Sequence, residues 1–248
     1  MTGYSTLAVE ERGDRVVVTL DRPERRNAID QQMVDELHRV CATLEMQPRI
    51  LILTGSGGVF ASGADIAELR ERTAADAASG INDTIFTRIA MLPMPVIAAL
   101  DGYALGGGAE LAYAADLRIG TPRLRIGNPE TGLGIIAAAG ALSRLPELVG
   151  LPLATELVLT GRILTGEEAL AAGLVGDLFE PGELLTAAHA LADRIAANDP
   201  LATQLTKRVL REPAERHPAA EREAQAVLFE SPEKRRRMTE FLERRGRR

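Results

Sequence analysis

A run of three glycines is the first feature of this chain whose residue types and spacing suit chemistry. Gly106-Gly107-Gly108 precede an alanine-rich helical pattern, so no side chains cover their backbone N–H groups. The first N–H groups of a helix lack intrahelical acceptors and favour negative charge. The run therefore suits an anion, or an oxygen that becomes anionic in a transition state. Glycines also permit close packing of a helix on a strand, and the run alone leaves both interpretations open.

Two glutamates near glycines are candidates for moving protons. Glu110 falls in the first turn of the helix after the glycines, and Glu130 follows Pro129 in a predicted loop. A carboxyl in an apolar pocket has a raised pKa, which general acid–base catalysis near neutrality requires. Glu110 also has a structural interpretation, because an acidic residue in the first turn of a helix complements the helix dipole.

Three segments that contain these residues share one arrangement, in which an apolar strand pattern ends at a turn with glycine. They cover residues 60–66, 101–111 and 128–134. None of them fits a nucleotide-binding pattern, since the chain has neither a G-x-G-x-x-G fingerprint nor a G-x-x-x-x-G-K-[ST] loop. A G-x-S-x-G nucleophile turn is also absent from the sequence.

The elements that must position these segments alternate between strand and helix. Strand patterns cover residues 16–20, 50–54, 95–100 and 117–119, and helical patterns begin after Asp30 and near residue 82. This alternation predicts an α/β domain with much parallel pairing. After about residue 150 the pattern is helical, with a capping box at Thr165 and Glu168. We predict an α/β core at residues 1–195 and a helical region at residues 196–248.

The composition argues against several other classes of protein. The 248 residues are 46% hydrophobic and 26% charged, which is typical of a globular chain with a sizeable core. A net charge of −6 and an aromatic content of 3%, without tryptophan, argue against nucleic-acid binding. A single cysteine, Cys41, excludes an intramolecular disulfide, and three histidines on separate helical stretches predict no metal site. We expect a cytoplasmic protein, because neither a signal peptide nor a run of about 18 apolar residues is evident.

Taken together, the three segments resemble those of the enoyl-CoA hydratase/isomerase (crotonase) family, and the match extends along most of the chain. Residues 20–28, LDRPERRNA, resemble the family's RPE-x-x-NAL segment. Residues 159–162, LTGR, with 168–175, EALAAGLV, resemble its TG…A…A-x-x-x-GLV signature. The resemblance implies a crotonase-like spiral of ββα units, followed by a C-terminal helical region that builds trimers, often paired into hexamers.

The resemblance also implies a site and a reaction. By position, the backbone N–H groups of Ala64 and Gly107 form an oxyanion hole for the oxygen of an acyl-CoA thioester. Glu110 would deprotonate the water that attacks C3 of a 2-enoyl-CoA, and Glu130 would protonate C2. Coenzyme A enters as part of the substrate, and no separate cofactor or metal is expected. The implied contacts with the CoA-bearing substrate are Arg25, Arg26, Ala61, Ala64, Asp65, Ile66 and Gly106.

One departure from the family pattern leaves alternatives open. Residues 137–141 are AAAGA where hydratases commonly have Pro-Gly-x-Gly-Gly. Alanine disfavours positive φ, so this loop either has an altered geometry or needs no positive φ there. An isomerase, a thioester hydrolase, a decarboxylase and a non-catalytic acyl-CoA binding protein therefore remain alternatives to a hydratase. The net negative charge of the chain argues against RNA binding through the basic runs 234–237 and 244–245. A solvated helix face is the simpler interpretation of these two runs.

Overall fold

The computed structural model describes residues 3–246, which form eight strands, twelve helices and three short 3-10 turns. The strands are β1 Leu7–Glu11, β2 Arg15–Leu20, β3 Ile50–Gly55, β4 Val96–Leu100, β5 Tyr103–Leu105, β6 Leu117–Gly120, β7 Arg125–Gly127 and β8 Leu164–Thr165. The helices are α1 Gln31–Met46, α2 Ile66–Glu71, α3 Ala74–Ser79, α4 Ile81–Ala90, α5 Gly107–Ala114, α6 Ala141–Val149, α7 Leu151–Thr160, α8 Gly166–Ala171, α9 Leu184–Ala196, α10 Pro200–Leu210, α11 His217–Glu230 and α12 Pro232–Gly246. The 3-10 turns are Pro23–Arg25, Glu130–Leu133 and Ala214–Arg216.

A five-stranded sheet forms the centre of the first part of the chain. Its order is β1-β2-β3-β4-β6, with β1 antiparallel to β2 and all other neighbours parallel. The strands β3 and β4 are continuous apolar runs, as expected for parallel strands that are buried on both faces. All four strand patterns of the sequence lie in this sheet, so the prediction of an α/β domain with parallel pairing is confirmed.

A second sheet, in the order β5-β7-β8, positions two of the three glycine-containing segments. The strands β5 and β7 are parallel, with Leu105 opposite Gly127, so they end side by side. Beyond these ends the N–H of Gly106 donates to the carbonyl of Gly127 at 2.9 Å. Since Glu110 and Glu130 follow β5 and β7 by a few residues, this pairing brings the two glutamates to the same place.

The helices near the sheets begin and end as their local sequences predict. Asp30 caps α1 by accepting from the N–H of Met33 at 2.8 Å. The capping box of α8 pairs Thr165 with Glu168, and Gly173 follows that helix at φ +73°. The helices α2 and α3 have no counterpart in the sequence patterns, because each has six residues and buries none of them.

The chain divides into two compact units, one that ends at Ala192 and one that begins at Asp193. Helices α10 to α12 make up most of the second unit, which confirms the helical character expected of the C-terminal region. In α12, Arg236 and Arg237 pair with Glu233 within the same helix, as on a solvated helix face. Within residues 3–246, none of the helices combines the length and apolar character that a bilayer crossing would need.

Candidate active site

A cavity of about 660 Å³ lies at the ends of β5 and β7, and we call it the central cavity. It brings together the four residues that the sequence analysis placed at the chemistry: Ala64, Gly107, Glu110 and Glu130. Its apolar wall includes Leu69, Ile81, Leu133, Ile135, Ile136 and Ala138. Buried polar groups beside an apolar wall are the usual composition of a small-molecule site.

Two backbone N–H groups lie close together in the lining of this cavity. A methyl group placed on Gly107 would lie 3.4 Å from the backbone nitrogen of Ala64. Gly107 is the first residue of α5, preceded by Gly106 at φ +51°, so its N–H has no intrahelical acceptor. Among residues 3–246, neither N–H has a hydrogen-bond acceptor. The pair is therefore free to bind one oxygen atom of a ligand.

The close packing beneath α5 explains why glycine is needed there. A methyl group placed on Gly108 would lie 2.4 Å from the carbonyl oxygen of Ala61 and 2.8 Å from its Cβ. Real Cβ atoms do not approach backbone this closely, so only glycine lets α5 reach the segment that carries Ala64. Both interpretations of the glycine run thus hold, each at a different glycine: Gly108 serves packing, and Gly107 exposes an N–H group.

Glu110 is 3% exposed and is held by main-chain donors of the loop that precedes α6. Its Oε1 accepts from the N–H groups of Ala139 at 2.7 Å and Ala141 at 3.1 Å. Burial raises the pKa of Glu110 to about 7, although these two hydrogen bonds act in the opposite direction. Glu110 is therefore able to gain and lose a proton near neutral pH.

Glu130 is buried as well, and its partners are side chains. Its Oε1 accepts from Nδ2 of Asn128 at 3.2 Å, and Oδ1 of Asn128 accepts from the hydroxyl of Tyr113 at 3.0 Å. Among the residues that the structure describes, Oε2 of Glu130 has no hydrogen-bond partner. Burial raises the pKa of Glu130 above its ordinary value of 4.5. One oxygen of this carboxyl is thus held in place while the other is free to exchange a proton.

The loop that departs from the family pattern keeps ordinary backbone geometry at its alanines. In the segment 134–141, positive φ occurs at Gly134 and Gly140, at +77° and +114°, and at no alanine. The loop thus needs no glycine at residues 137–139. Its donors to Glu110 are main-chain groups, which alanine supplies as well as glycine does.

The residues predicted to contact the CoA part of a substrate fall into two groups. Ala64, Ile66 and Gly106 line the central cavity. Arg25, Arg26, Ala61 and Asp65 lie outside its lining. The carbonyl of Arg26 accepts from the N–H of Ser62 at 3.0 Å, and Ser62 does line the cavity. Asp65 caps α2 and lies 3.7 Å from the guanidinium of Arg22.

Four residues at the site have no functional role in the sequence analysis: Arg72, Asn82, Tyr113 and Asn128. Arg72 and Asn82 line the cavity, whereas Tyr113 and Asn128 form the chain of hydrogen bonds to Glu130. A signal was present for Asn128, since a polar residue directly after an apolar strand and two positions before a glutamate can orient that glutamate. No group of three or more His, Cys, Asp or Glu side chains within residues 3–246 is arranged to hold a metal ion.

Comparisons with known proteins agree with this geometry. The family model described as enoyl-CoA hydratase/isomerase matches residues 11–247. A short-chain-enoyl-CoA hydratase of Clostridium acetobutylicum is 36% identical, over 97% of this chain and 96% of its own length. A crotonyl-CoA hydratase of Syntrophomonas wolfei is 34% identical, over 98% of this chain and 96% of its own. The crystal structure of an enoyl-CoA hydratase from Bacillus anthracis superposes with a TM-score of 0.92 at 30% identity, covering 97% of each chain.

Proposed function

This chain belongs to the enoyl-CoA hydratase/isomerase family and has the crotonase fold, and on that premise we propose that it hydrates 2-enoyl-CoA thioesters to 3-hydroxyacyl-CoA. The observation that carries the proposal is the pair of buried glutamates, Glu110 and Glu130, in one cavity with two unpaired N–H groups. Hydration needs a base for water and an acid for carbon, and both carboxyls have raised pKa values.

The N–H groups of Ala64 and Gly107 bind the thioester oxygen in the proposed reaction. Attack of water on C3 moves electrons from the C2–C3 double bond toward the thioester, and negative charge grows on its oxygen. Fixed donors aimed at that oxygen stabilise the charge without reorganising during the reaction. Both donors are main-chain groups, so the backbone geometry of residues 62–64 and 105–107 determines how well they stabilise the charge on the thioester oxygen.

The two glutamates exchange protons with water and with C2. Glu110, oriented by two main-chain N–H groups that favour its ionised form, takes a proton from the water that attacks C3. Glu130 delivers the proton on its free Oε2 to C2, and the enolate returns to a thioester. The reaction moves one proton from Glu130 to Glu110, and a return transfer restores the pair. No cofactor takes part beyond the coenzyme A of the substrate.

The remaining predicted contacts belong to the CoA part of the substrate. We assign Arg25 and Arg26 to its phosphates, because both side chains are exposed and their main chain is hydrogen-bonded to Ser62 at the edge of the cavity. We assign Asp65 and Ile66, at the start of α2, to the same CoA-binding surface as Arg25 and Arg26. We also propose that the chain assembles as a trimer or hexamer and works in the cytoplasm.

The test is hydration of crotonyl-CoA and a longer 2-enoyl-CoA, followed as loss of the conjugated thioester absorbance. The protein is expected to hydrate at least one of them, and Glu110→Gln and Glu130→Gln are each expected to lose about 100-fold or more in kcat. Glu147→Gln, an exposed substitution on α6, serves as the matched control and should leave kcat unaltered. Double-bond migration without uptake of water would instead identify an isomerase.

A further inference from the structure

Asn82 is a buried amide in the central cavity that the proposed reaction does not yet use. It lies in the first turn of α4, is 8% exposed and lines the cavity together with Ala64 and Gly107. Buried side-chain amides normally satisfy their donors and acceptors, so an unpaired atom on such a group requires an explanation.

Arg72 determines which way the amide of Asn82 points. Its two terminal nitrogens lie 3.3 and 3.4 Å from Oδ1 of Asn82. Arginine only donates hydrogen bonds, so the atom that faces it must be the oxygen of the amide. Nδ2 of Asn82 therefore points away from Arg72, and it has no acceptor among residues 3–246.

Nδ2 of Asn82 lies close to the nitrogens of the two backbone donors. A methyl group placed on Gly107 would lie 3.5 Å from Nδ2 of Asn82 and 3.4 Å from the nitrogen of Ala64. The nitrogen of Gly107 is itself roughly 2.5 Å from that point by covalent geometry. The nitrogens of three N–H donors thus lie near one point in the cavity, and the described part of the chain supplies no acceptor to any of them. The acceptor is therefore water or an atom of a ligand.

We propose that Asn82 is a third donor to the thioester oxygen and that Arg72 is the positioning residue that orients it. This inference rests on the proposed function for the identity of the ligand. The guanidinium of Arg72 bonds the neutral oxygen of Asn82, and its charge also acts on the nearby carboxyl of Asp76, whose pKa it helps to lower. A positive charge on the oxygen side of an amide strengthens its N–H groups as donors. The developing enolate would then bind two backbone donors and one charge-assisted side-chain donor.

Two substitutions at Asn82 separate the donor from the rest of the residue. Asn82→Asp keeps the oxygen that accepts from Arg72 and replaces Nδ2 by an oxygen, whereas Asn82→Leu removes both polar atoms at a similar size. We expect kcat for crotonyl-CoA to fall about 100-fold in each, the usual effect of losing one oxyanion donor. Arg72→Met should lose about 10-fold, since it leaves the donor in place but unoriented. Thr84→Val, an exposed change in the same helix, is the control.

A spectroscopic measurement tests the contact itself, without turnover. The protein is mixed with butyryl-CoA carrying ¹³C at the thioester carbon, and the carbonyl stretch of the bound ligand is recorded by isotope-edited infrared spectroscopy. Each donor lowers this frequency, so the bound value should rise toward that of free butyryl-CoA in both Asn82 variants. Circular dichroism and the thermal midpoint show that the variants are folded, and Asn82→Asp decides the matter if Asn82→Leu does not fold.

The outcomes separate this inference from the proposed hydration. A parent protein that hydrates crotonyl-CoA, together with Asn82 variants that keep kcat within twofold and an unaltered carbonyl stretch, would overturn the role of Asn82 alone. A parent that hydrates nothing but whose carbonyl shift is lost in Asn82→Asp would overturn hydration and support the third donor. If the Asn82 variants lost affinity equally for free coenzyme A and for butyryl-CoA, that result would contradict the role of Asn82 as a third donor, because free coenzyme A has no thioester oxygen.

Discussion

At the scale of single residues, the site depends on how carboxyls are held in an apolar cavity. Glu110 has two main-chain donors on one oxygen, and Glu130 has one side-chain donor, Asn128. Burial raises both pKa values, and the charge of Glu130 adds to the rise at Glu110. The form with an ionised Glu110 and a protonated Glu130 is the one that can both accept a proton from water and deliver one to carbon.

Glu110 is expected to lower the stability of the fold as pH rises. Its pKa is 4.5 in the unfolded chain and about 7 in the folded one, so as pH rises the carboxyl loses its proton at a lower pH in the unfolded chain. Stability is then lost between those two values, by about 3 kcal/mol at most. Glu110→Gln mimics the protonated form, so its advantage over the parent should be small at pH 4 and largest at pH 8.

Urea denaturation at pH 4, 6 and 8, at a fixed protein concentration, measures this difference. Glu147→Gln is again the control, since that side chain is exposed and its free energy of unfolding should match the parent's at each pH. A gap between Glu110→Gln and the parent that is the same at all three pH values would show that Glu110 ionises normally in the fold.

At the scale of elements, α5 and the segment before α2 must lie close together. The approach is closest at Gly108, whose Cβ position falls 2.4 Å from a backbone oxygen of Ala61. The same approach places the N–H groups of Ala64 and Gly107 close together. Packing and binding are thus two results of one helix position.

Gly108→Ala tests this packing. Alanine in place of glycine ordinarily stabilises a helix by up to about 1 kcal/mol. Here the added methyl group meets backbone, so we expect a net loss of about 1–3 kcal/mol in the free energy of unfolding, with reduced hydration activity. Gly132→Ala is the control for stability, because a methyl group there has nothing within 4 Å, and it should stay within about 0.5 kcal/mol of the parent. A Gly108→Ala protein as stable as the parent would contradict the packing argument.

At the scale of the whole molecule, large apolar side chains remain exposed in both compact units. Leu151 and Leu159 of α7 are 67% and 69% exposed, and Phe241 and Leu242 of α12 are 58% and 67% exposed. Large apolar side chains that are exposed in a single chain are candidates for contact with other protein chains. They support the proposed assembly of this chain with copies of itself.

Light scattering on the purified protein should give a mass of three or six copies of the 26.6 kDa chain. Leu242→Asp is expected to reduce the assembled fraction, because it would place a charge in an apolar contact. Glu243→Ala, an exposed neighbour in the same helix, should not. A monomer at micromolar concentration would contradict the assembly.

The sequence by itself determined the features that depend on local pattern. Apolar runs and caps predicted four of the five strands in the larger sheet, all but β1, and the starts of α1, α4 and α8. The glycine run indicated an exposed N–H group at Gly107. The two glutamates that the sequence analysis selected for their neighbouring glycines, Glu110 and Glu130, both line the central cavity. These predictions succeed because hydrophobic periodicity, capping and the conformational freedom of glycine act within a few residues of chain.

Only the tertiary structure decided which groups form hydrogen bonds with the glutamates and which side chain lies beside the N–H groups of Ala64 and Gly107. The donors to Glu110 are the main-chain N–H groups of Ala139 and Ala141, about thirty residues further on. A backbone donor carries no signature in residue type, so the alanines of that loop could not show by themselves whether positive φ is needed there, and the structure has none at these alanines. Asn82 and Arg72 meet only because α2, α3 and α4 fold around the cavity. The physical reason is that a hydrogen bond depends on where two groups lie in space, whereas a pattern in the sequence reports only neighbours along the chain.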